Sequence, residues 1–377
     1  MAQFKSYLAW PGAPLAIASA ALFGASTPLA KALLGNGVNP WLLAGLLYLG
    51  SGFGLAFLHY GRKFIGKASA EAPLARGDWG WMALVVLSGG VAGPVLLMLG
   101  LTTTPASSAA LLLNLEGLAT MAIAWLAFRE NVDRRLLLGA AAILAGALLL
   151  SWQGGPGLTG FGIGALFIAG ACLAWGIDNN LTRKISASDP VQIAMIKGLV
   201  AGAVNLGLAL SFGARLPAPG PLAAAAVVGF LGYGVSLVLF VLGLRFLGTA
   251  RTGAYFSAAP FIGAILSLLM FKEPVTARLV AAGVLMGIGL YLHLTEDHSH
   301  SHDHEALDHE HSHVHDEHHQ HAHGPGDPAG EPHSHWHHHA PMRHKHPHYP
   351  DLHHRHGHGH EHAVSLPPLS TGPRNNS

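Results

Sequence analysis

Two short stretches of this sequence repeat each other: residues 128–132 read FRENV and residues 271–275 read FKEPV. Each consists of an aromatic residue, a basic residue, a glutamate, a variable position and a valine, and each follows a long apolar run. The two stretches lie 143 residues apart, and the same offset aligns Gly100 with Gly243 without a gap. Self-similarity at a fixed offset indicates a duplicated structural unit.

The composition is that of an integral membrane protein. Only 11% of the 377 residues are charged and 50% are hydrophobic, whereas soluble domains carry about 25% charged residues. A helix needs about 20 apolar residues to cross a bilayer. A soluble helical bundle would require polar faces that the apolar runs of this chain do not have. The sequence therefore predicts an all-α integral membrane protein with ten transmembrane helices, near residues 13–34, 40–60, 79–101, 105–128, 135–152, 160–181, 191–212, 221–244, 251–271 and 277–294.

The positions of the basic residues predict the orientation. If the N-terminus is cytoplasmic, twelve Lys and Arg residues flank the helices on the cytoplasmic side and four flank them on the opposite side. Cytoplasmic loops carry the excess of Lys and Arg. Both termini are therefore predicted to be cytoplasmic and the protein to be multi-pass in the plasma (inner) membrane. The first run is expected to be a retained anchor rather than a signal peptide, because a second span follows it directly.

The duplication also covers the start of each half. FGASTPLAK at residues 23–31 parallels WGIDNNLTR at residues 175–183, and NP at residues 39–40 parallels DP at residues 189–190. Because each copy holds five helices, an odd number, the second copy must enter the membrane in the opposite orientation. Inverted repeats are typical of secondary transporters, whose substrate site lies at the repeat interface; a duplicated scaffold without transport is the alternative. The predicted parts are a cytoplasmic N-terminus (1–12), a first five-helix repeat (13–152), a linker (153–159), a second five-helix repeat (160–294) and a low-complexity tail (295–377).

These features together resemble the drug/metabolite transporter superfamily, in its ten-helix EamA-type branch, over roughly residues 10–295. The resemblance rests on the paired five-helix units, on the openings Phe23-Gly24 and Trp175-Gly176, and on the Phe-x-Glu-x-Val phrases. It implies a permease that moves small organic solutes, often outward, by alternating access. The phrase residues are expected to mark helix ends rather than to contact substrate, with one glutamate at the cytoplasmic face and the other at the opposite face. Each glutamate is expected either to form a surface ion pair or to cap the helix that follows it. The phrase residues are Phe128, Glu130, Phe271 and Glu273.

Polar residues inside the predicted helices are candidates for substrate binding or coupling. An ionisable group in mid-membrane costs about 3 kcal/mol, so it indicates a function by default. Glu116, near the centre of the fourth helix, is either a proton-coupling or cation-binding group or a hydrogen-bonded structural carboxylate. Asp178 and Asn179 end the sixth helix and either bind substrate or cap that helix; Lys197 either pairs with a carboxylate or reaches the cytoplasmic surface. The candidates are Asn114, Glu116, Trp175, Asp178, Asn179 and Lys197.

The tail differs from the body in amino-acid composition. It holds 26 of the 28 histidines, mostly in His-x-His alternation with acidic residues between them. With few aliphatic residues the tail is predicted to be disordered. Imidazole suits Zn, Ni, Co and Cu, so the tail is predicted to bind divalent metal, although no cofactor is required. A solvated tail that attracts metal incidentally and a pH-responsive charge cluster are the alternatives. The candidate ligands are His298, His300, His302, His304, His309, His311, His313, His315, His318, His319, His321, His323, His335, His337, His338 and His339.

Three functions are compatible with these patterns. The first is a metabolite transporter, an exporter, whose tail senses or buffers divalent metal. The second is a divalent metal exporter that uses the tail for capture, and the third is a membrane-anchored metal store or sensor without transport. No catalytic motif is present, so the chain is not expected to be an enzyme. The expected partners are the lipid bilayer, a small-molecule substrate and divalent metal ions, not nucleic acid, and the sequence leaves the oligomeric state open.

Overall fold

A computed structural model of the chain describes the helical body and four short segments of the tail. In the tail segments only the backbone is described. The described residues are 12–65, 73–128, 134–154, 161–185, 188–240, 242–243, 252, 255–294, 299–304, 307–313, 333–339 and 342–347.

The body is built of helical segments, which we number α1 to α10 in chain order. Several of them are composite: α3 and α8 contain π-helical turns, and α4 is interrupted by a turn at residues 113–114. The described part of α9 begins at Ala259. The bounds are α1 Gly12–Gly35, α2 Pro40–Phe64, α3 Arg76–Thr103, α4 Ala106–Leu112 and Leu115–Phe128, α5 Arg134–Ser151, α6 Ile163–Ile185, α7 Pro190–Ser211, α8 Pro219–Phe240, α9 Ala259–Phe271 and α10 Ala277–Leu294.

Eight of these segments are long and apolar enough to cross a membrane within the part of the chain that is described. The other two are α6 and α9. The 23-residue α6 carries Asp178, Arg183 and Lys184, which lower its hydropathy, and the described part of α9 is 13 residues long. The body of the chain is thus that of an all-helical, multi-pass membrane protein. That ten helices cross the membrane stays a prediction.

Pairs of local features recur in the two halves of the body. Asn39 precedes α2, and its Oδ1 accepts hydrogen bonds from the backbone N–H groups of residues 41 and 42. Asp189 precedes α7 and does the same with residues 191 and 192. In both helices a proline occupies the first turn, where a missing N–H costs nothing. The sequence parallel between these dipeptides thus corresponds to the same capping geometry.

The π-helical turns recur in the same way. One occupies Val86–Ala92 in α3 and the other occupies Phe230–Val235 in α8, at an offset of 143 to 144 residues. A π-turn inserts a residue into the helix and weakens its backbone ladder, and such turns occur frequently at functional sites. Both lie inside apolar segments, where they disturb two helices at equivalent depths.

Glycines allow two pairs of helices to approach closely. Where α2 crosses α7, a Cβ added to Gly202 would lie 2.6 Å from the backbone nitrogen of Leu49, and one on Gly198 would lie 2.8 Å from the Cα of Gly52. Where α5 crosses α10, a Cβ on Gly289 would lie 2.5 Å from the carbonyl oxygen of Gly139. Helices in lipid associate through such small-residue contacts, because apolar side chains gain nothing by leaving the lipid.

Glu273 caps a helix, but not the one that follows it in sequence. Its carboxylate accepts hydrogen bonds from the backbone N–H of Ala106 at 2.7 Å and of Ser107 at 3.1 Å, and from the Ser107 hydroxyl. These groups form the N-terminus of α4, in the other half of the chain, where a carboxylate satisfies unpaired N–H groups and the helix dipole. Phe271 is the last residue of α9 and Phe128 the last of α4. Glu130 lies outside the described residues.

The described tail segments are extended, which differs from the disorder predicted for the tail. They are β1 Ser299–His304, β2 Leu307–His313, β3 His333–His339 and β4 Met342–Pro347, and they form two antiparallel pairs, β1 with β4 and β2 with β3. The His-x-His alternation has the period of two that an extended strand requires. The prediction relied on the scarcity of aliphatic residues and gave no weight to this period.

The α2–α7 crossing predicts the effect of two matched substitutions on one helix. Gly202→Ala is expected to lower the stability of the protein in detergent by about 1–3 kcal/mol, because the added methyl group meets backbone that cannot move freely. Gly207→Ala is the control, since no atom lies within 4 Å of its added Cβ; it is expected to leave the melting temperature unchanged or to raise it. Equal effects of the two substitutions on thermal unfolding would contradict the packing described here.

Candidate functional site

The π-turn of α3 is the centre of a group of polar contacts. The carbonyl oxygen of Gly89 accepts a hydrogen bond from the hydroxyl of Tyr48 at 2.8 Å and another from Nε1 of Trp175 at 3.0 Å. The next carbonyl, that of Gly90, accepts one from Nδ2 of Asn205 at 3.0 Å. The turn in α3 is therefore held from three sides, by α2, α6 and α7.

Asp178 and Lys197 form an ion pair beside this turn, between α6 and α7. The Asp178 side chain is 6% exposed and that of Lys197 19% exposed. Two opposite charges removed from water are tolerable only when they neutralise each other. A Cβ at Gly89 would overlap Asp178 Oδ2, so the carboxylate fits only because the turn offers a glycine.

A second set of contacts joins α4 to α6. Nδ2 of Asn179 donates to Oε1 of Glu116 at 3.0 Å and to the Thr120 hydroxyl at 3.2 Å. The neighbouring Asn180 donates to the backbone carbonyls of Thr120 and Gly176. Glu116 thus has a neutral amide as its hydrogen-bond partner, in contrast to Asp178, whose partner is a cation.

The two sets form one site. They are joined through α6, because Asp178 of the first set and Asn179 of the second are neighbours on that helix. The ring of Tyr48 lies 5.6 Å from that of Tyr233, which is part of the π-turn in α8. We call this group the polar cluster; its members are Tyr48, Glu116, Thr120, Trp175, Asp178, Asn179, Lys197 and Tyr233.

The exposed amide of the polar cluster lies on the side of α6 opposite its apolar exposed surface. Asn179 is exposed, yet it lies about 200° around the helix from Ile177, at 100° per residue. Ile177 and Leu173 are exposed apolar side chains typical of a lipid-facing surface. The exposed amide of Asn179 therefore faces away from that surface, and Glu116, to which it donates a hydrogen bond, is partly exposed.

Five of the six candidates from the sequence come together in the polar cluster: Glu116, Trp175, Asp178, Asn179 and Lys197. Asn114 does not. Its Nδ2 donates to the carbonyl of Leu111 at 2.8 Å and approaches the sulfur of Met286 in α10 at 3.9 Å. Residues 113–114 form the turn that interrupts α4, so Asn114 satisfies that break instead of facing Asn179.

Asp178 and Asn179 were expected at the end of the sixth helix, and this is wrong. The helix α6 continues to Ile185, so both side chains leave from its interior and neither caps it. The basic residues at positions 183 and 184, which mark the predicted boundary, are part of the helix. For Lys197, the structure shows the pairing alternative, with Asp178 as its partner.

Three members of the site were missed in the sequence. Tyr48 and Tyr233 stand alone in apolar runs and read as membrane-interface aromatics, and Thr120 reads as a small packing residue. The signal that points to them is Gly89-Gly90, because adjacent glycines in a transmembrane helix mark a place where side chains approach the backbone.

The charges of the polar cluster have no counterparts in the equivalent positions of the other half. The alignment of residues 23–31 with 175–183 places Ser26 opposite Asp178. The capping dipeptides place Leu47 opposite Lys197, and the offset of 143 places Ala259 opposite Glu116. At these three pairs of positions, only the residues of the polar cluster are ionisable.

The candidate metal ligands lie in the tail and not in the polar cluster. Among the side chains described between residues 12 and 294, no three of His, Cys, Asp and Glu come together to hold an ion. In the tail, the candidate histidines at 300, 302 and 304 lie in β1, those at 309, 311 and 313 in β2, and those at 335 and 337–339 in β3. The candidates His298, His315, His318, His319, His321 and His323 lie outside the described residues.

Comparison with known proteins gives three findings. A sequence model described as the EamA-like transporter family matches residues 10–152 and 162–295. A protein of Methanothermobacter thermautotrophicus, described as an uncharacterized transporter, is 27% identical over 288 residues, which cover 73% of this chain and 84% of that protein. A solved chain titled "Crystal structure of protein" superposes with a TM-score of 0.55 at 19% identity, over 75% of this chain and 95% of that one. At this identity the structural likeness shows the fold alone.

The ion pair predicts a non-additive effect of two substitutions. Lys197→Met is expected to destabilise the protein in detergent by about 3–5 kcal/mol, because it leaves the Asp178 carboxylate buried without a countercharge. Adding Asp178→Asn to Lys197→Met is expected to restore most of that loss, since no buried charge remains. Thermal unfolding of Lys197→Met, Asp178→Asn and the double variant tests this; a double variant as unstable as the sum of the two single variants would contradict the pairing.

Proposed function

Because this chain belongs to the EamA-like transporter family, we propose that it is a secondary transporter that carries small metabolites out of the cytoplasm by alternating access. Family membership and the transporter relative support a membrane transporter with a small-molecule substrate. The proposal assigns no catalytic reaction to the chain. The outward direction and the plasma membrane as its location follow from the resemblance and are part of the proposal.

We propose ten spans in two inverted repeats, residues 13–152 and 160–294. The two separate matches of the family model, the equivalent caps of α2 and α7, and the equivalent π-turns support the duplication. Five spans in each repeat would insert the two copies in opposite orientations, with both termini in the cytoplasm. This arrangement allows one central site to be reached from either side of the membrane.

The polar cluster is the proposed substrate and coupling site. The observation that carries it is the contrast between the two carboxylates: Asp178 is neutralised by Lys197, whereas Glu116 has an amide partner and an exposed side. A carboxylate in this position is the group that a proton or a cationic group of a substrate would neutralise. Glu116 is therefore proposed to bind the coupling ion or substrate, and the ion pair to position α6 and α7 around it.

The two π-turns are proposed to be where the helices bend during transport. Hinges are short backbone segments that absorb a change of dihedral angles, and a π-turn is a weak point in a helix. In α3 the turn is bound by Tyr48 and Trp175 through the Gly89 carbonyl. A change in the polar cluster, which contains both aromatic residues, would thus reach the turn directly.

A divalent metal as the transported solute is the second candidate, favoured by the His-rich tail. A dehydrated ion such as zinc takes three or four ligands. The polar cluster offers two carboxylates, one of which already holds a lysine, so it suits an organic solute better. A metal store without transport would need an anchor only. We propose instead that the tail binds Zn, Ni, Co or Cu on the cytoplasmic side and modulates transport.

Transport in reconstituted vesicles tests the site. The full-length protein under a proton gradient is expected to move one or more solutes from a panel of small metabolites. Glu116→Gln is expected to reduce that flux at least tenfold, because the amide cannot be charged or neutralised. Ser211→Ala is the control, since its hydroxyl bonds to the Leu208 carbonyl of its own helix, and it should retain full flux.

Truncation after Leu294 separates the candidate functions. Metabolite flux that responds to zinc only when the tail is present supports the proposal. Zinc flux that survives truncation and disappears in Glu116→Gln would replace it with metal export. If the full-length protein moves no solute but its tail still binds zinc, the result would favour a metal store or sensor without transport.

A further inference from the structure

The paired strands of the tail bring histidines opposite one another. In the β2–β3 pair, His309 lies opposite His337 and His311 opposite His335, and the next pair along is His313 with His333. Three successive cross-strand pairs at every second position are therefore His–His. The residues between them pair differently, as serine with serine and glutamate with tryptophan.

The alternation of a strand places these pairs on one face. Successive residues of a strand belong to opposite faces, so odd-numbered positions of β2 and β3 share one face of this two-stranded ribbon. The three pairs contribute six histidines to that face, and His339, opposite Leu307, is a seventh. A shift of one residue in register would separate them, because it moves every residue of one strand to the other face relative to its partner.

The β1–β4 pair repeats the arrangement on a smaller scale. His300 lies opposite His346 and His302 opposite His344, again two positions apart. The third pair in this series is His304 with Met342, which ends the ribbon with a thioether. Both ribbons thus carry adjacent His–His pairs on a common face.

The spacing of two adjacent pairs suits a single metal ion. Opposite residues of an antiparallel pair have Cβ atoms about 4.5–5.5 Å apart, and residues two apart on one strand are about 6.6–6.8 Å apart. Four histidine positions therefore form a rectangle of about 5 by 7 Å. Zinc lies about 2.0–2.1 Å from each imidazole nitrogen and takes four ligands, which is within the reach of histidine side chains placed on such a rectangle.

We propose that each ribbon is a divalent metal site built from cross-strand histidine pairs, with His309, His311, His335 and His337 as the ligands of the inner ribbon. This inference rests on the proposed metal-binding function of the tail and specifies its ligands. A two-stranded ribbon alone is marginal in water, and an ion that takes ligands from both strands stabilises the paired form.

The β2–β3 ribbon lies between β1 and β4 in the sequence, and this order predicts which of the two sites fills first. The inner ribbon closes 19 residues, 314–332, whereas β1 and β4 are each joined to it by two residues, 305–306 and 340–341. Once the inner ribbon has formed, bringing β1 and β4 together costs little further chain entropy. The inner site is therefore expected to fill first and the outer site, at His300, His302, His344 and His346, second.

The test compares two sets of four substitutions in the full-length protein in nanodiscs. In the first set, His309, His311, His335 and His337 are each changed to Gln. In the control set, His354, His356, His358 and His360, which lie outside the ribbons, are changed to Gln. Zinc binding is measured by competition with a chromophoric chelator. The ribbon set is expected to weaken the tightest zinc affinity at least tenfold and the control set less than threefold.

A pairwise cycle tests the register. His309→Gln and His337→Gln are expected to be non-additive, because both side chains serve one ion. His309→Gln with His346→Gln, which belong to different ribbons, should be additive. Equal losses from the two sets of four, or additive effects for His309 and His337, would overturn the inference while leaving a metal-binding tail in place. Absence of zinc binding by the unmodified protein would overturn both and leave the proposed solute transport untouched.

Discussion

The hydrocarbon core of a membrane offers no hydrogen-bond partner, so every polar group that a helix carries there must find one inside the protein. In this chain the ion pair of Asp178 and Lys197, which joins α6 to α7, satisfies the two charges of these helices. The pair can form only because Gly89 leaves room for the carboxylate, and the π-turn that contains Gly89 is itself held by Tyr48 and Trp175. The positions of α2, α3, α6 and α7 therefore depend on one another through a single small group of polar contacts.

The two halves of the body share structural features but differ in the residues at the polar cluster. Caps and π-turns recur in both halves, and the glycine crossings join equivalent helices of the two halves, α2 with α7 and α5 with α10. Helices in lipid assemble through such close contacts. The charged residues of the polar cluster do not recur: serine, leucine and alanine stand at the equivalent positions of Asp178, Lys197 and Glu116. The assembly of the helices thus depends on the features that the two halves share, whereas the proposed substrate and coupling site depends on ionisable residues that only one set of positions of the site carries. Glu273 belongs to the shared part, since its carboxylate caps α4 across the boundary between the halves.

Many of the helices and the duplication were predictable, because hydropathy and repeated motifs can be recognised directly in the order of the residues. Most of the helices, the parallel between the dipeptides at 39–40 and 189–190, and the family itself came from such signals; the capping by Asn39 and Asp189 and the true end of α6 did not. The partners within the site were harder to predict. Asn114 and Glu116 are two residues apart and read alike, yet side chains at that spacing leave opposite faces of a helix; Asn114 bonds to Leu111 within α4, whereas Glu116 accepts from Asn179 of α6. Tyr48 and Thr120 join the site only through the crossing of helices distant in sequence, and a π-turn has no reliable sequence signature beyond its glycines.

The central claim is that the two halves enter the membrane in opposite orientations around the polar cluster. Asp133→Cys and Thr276→Cys, at positions related by the offset of 143, test it most directly. The one natural cysteine, Cys172, is buried and 1% exposed, so it provides an unreactive background. With an impermeant thiol reagent on intact cells, Thr276→Cys is expected to react and Asp133→Cys to react only after the membrane is opened. Reaction of both from the same side would contradict the account.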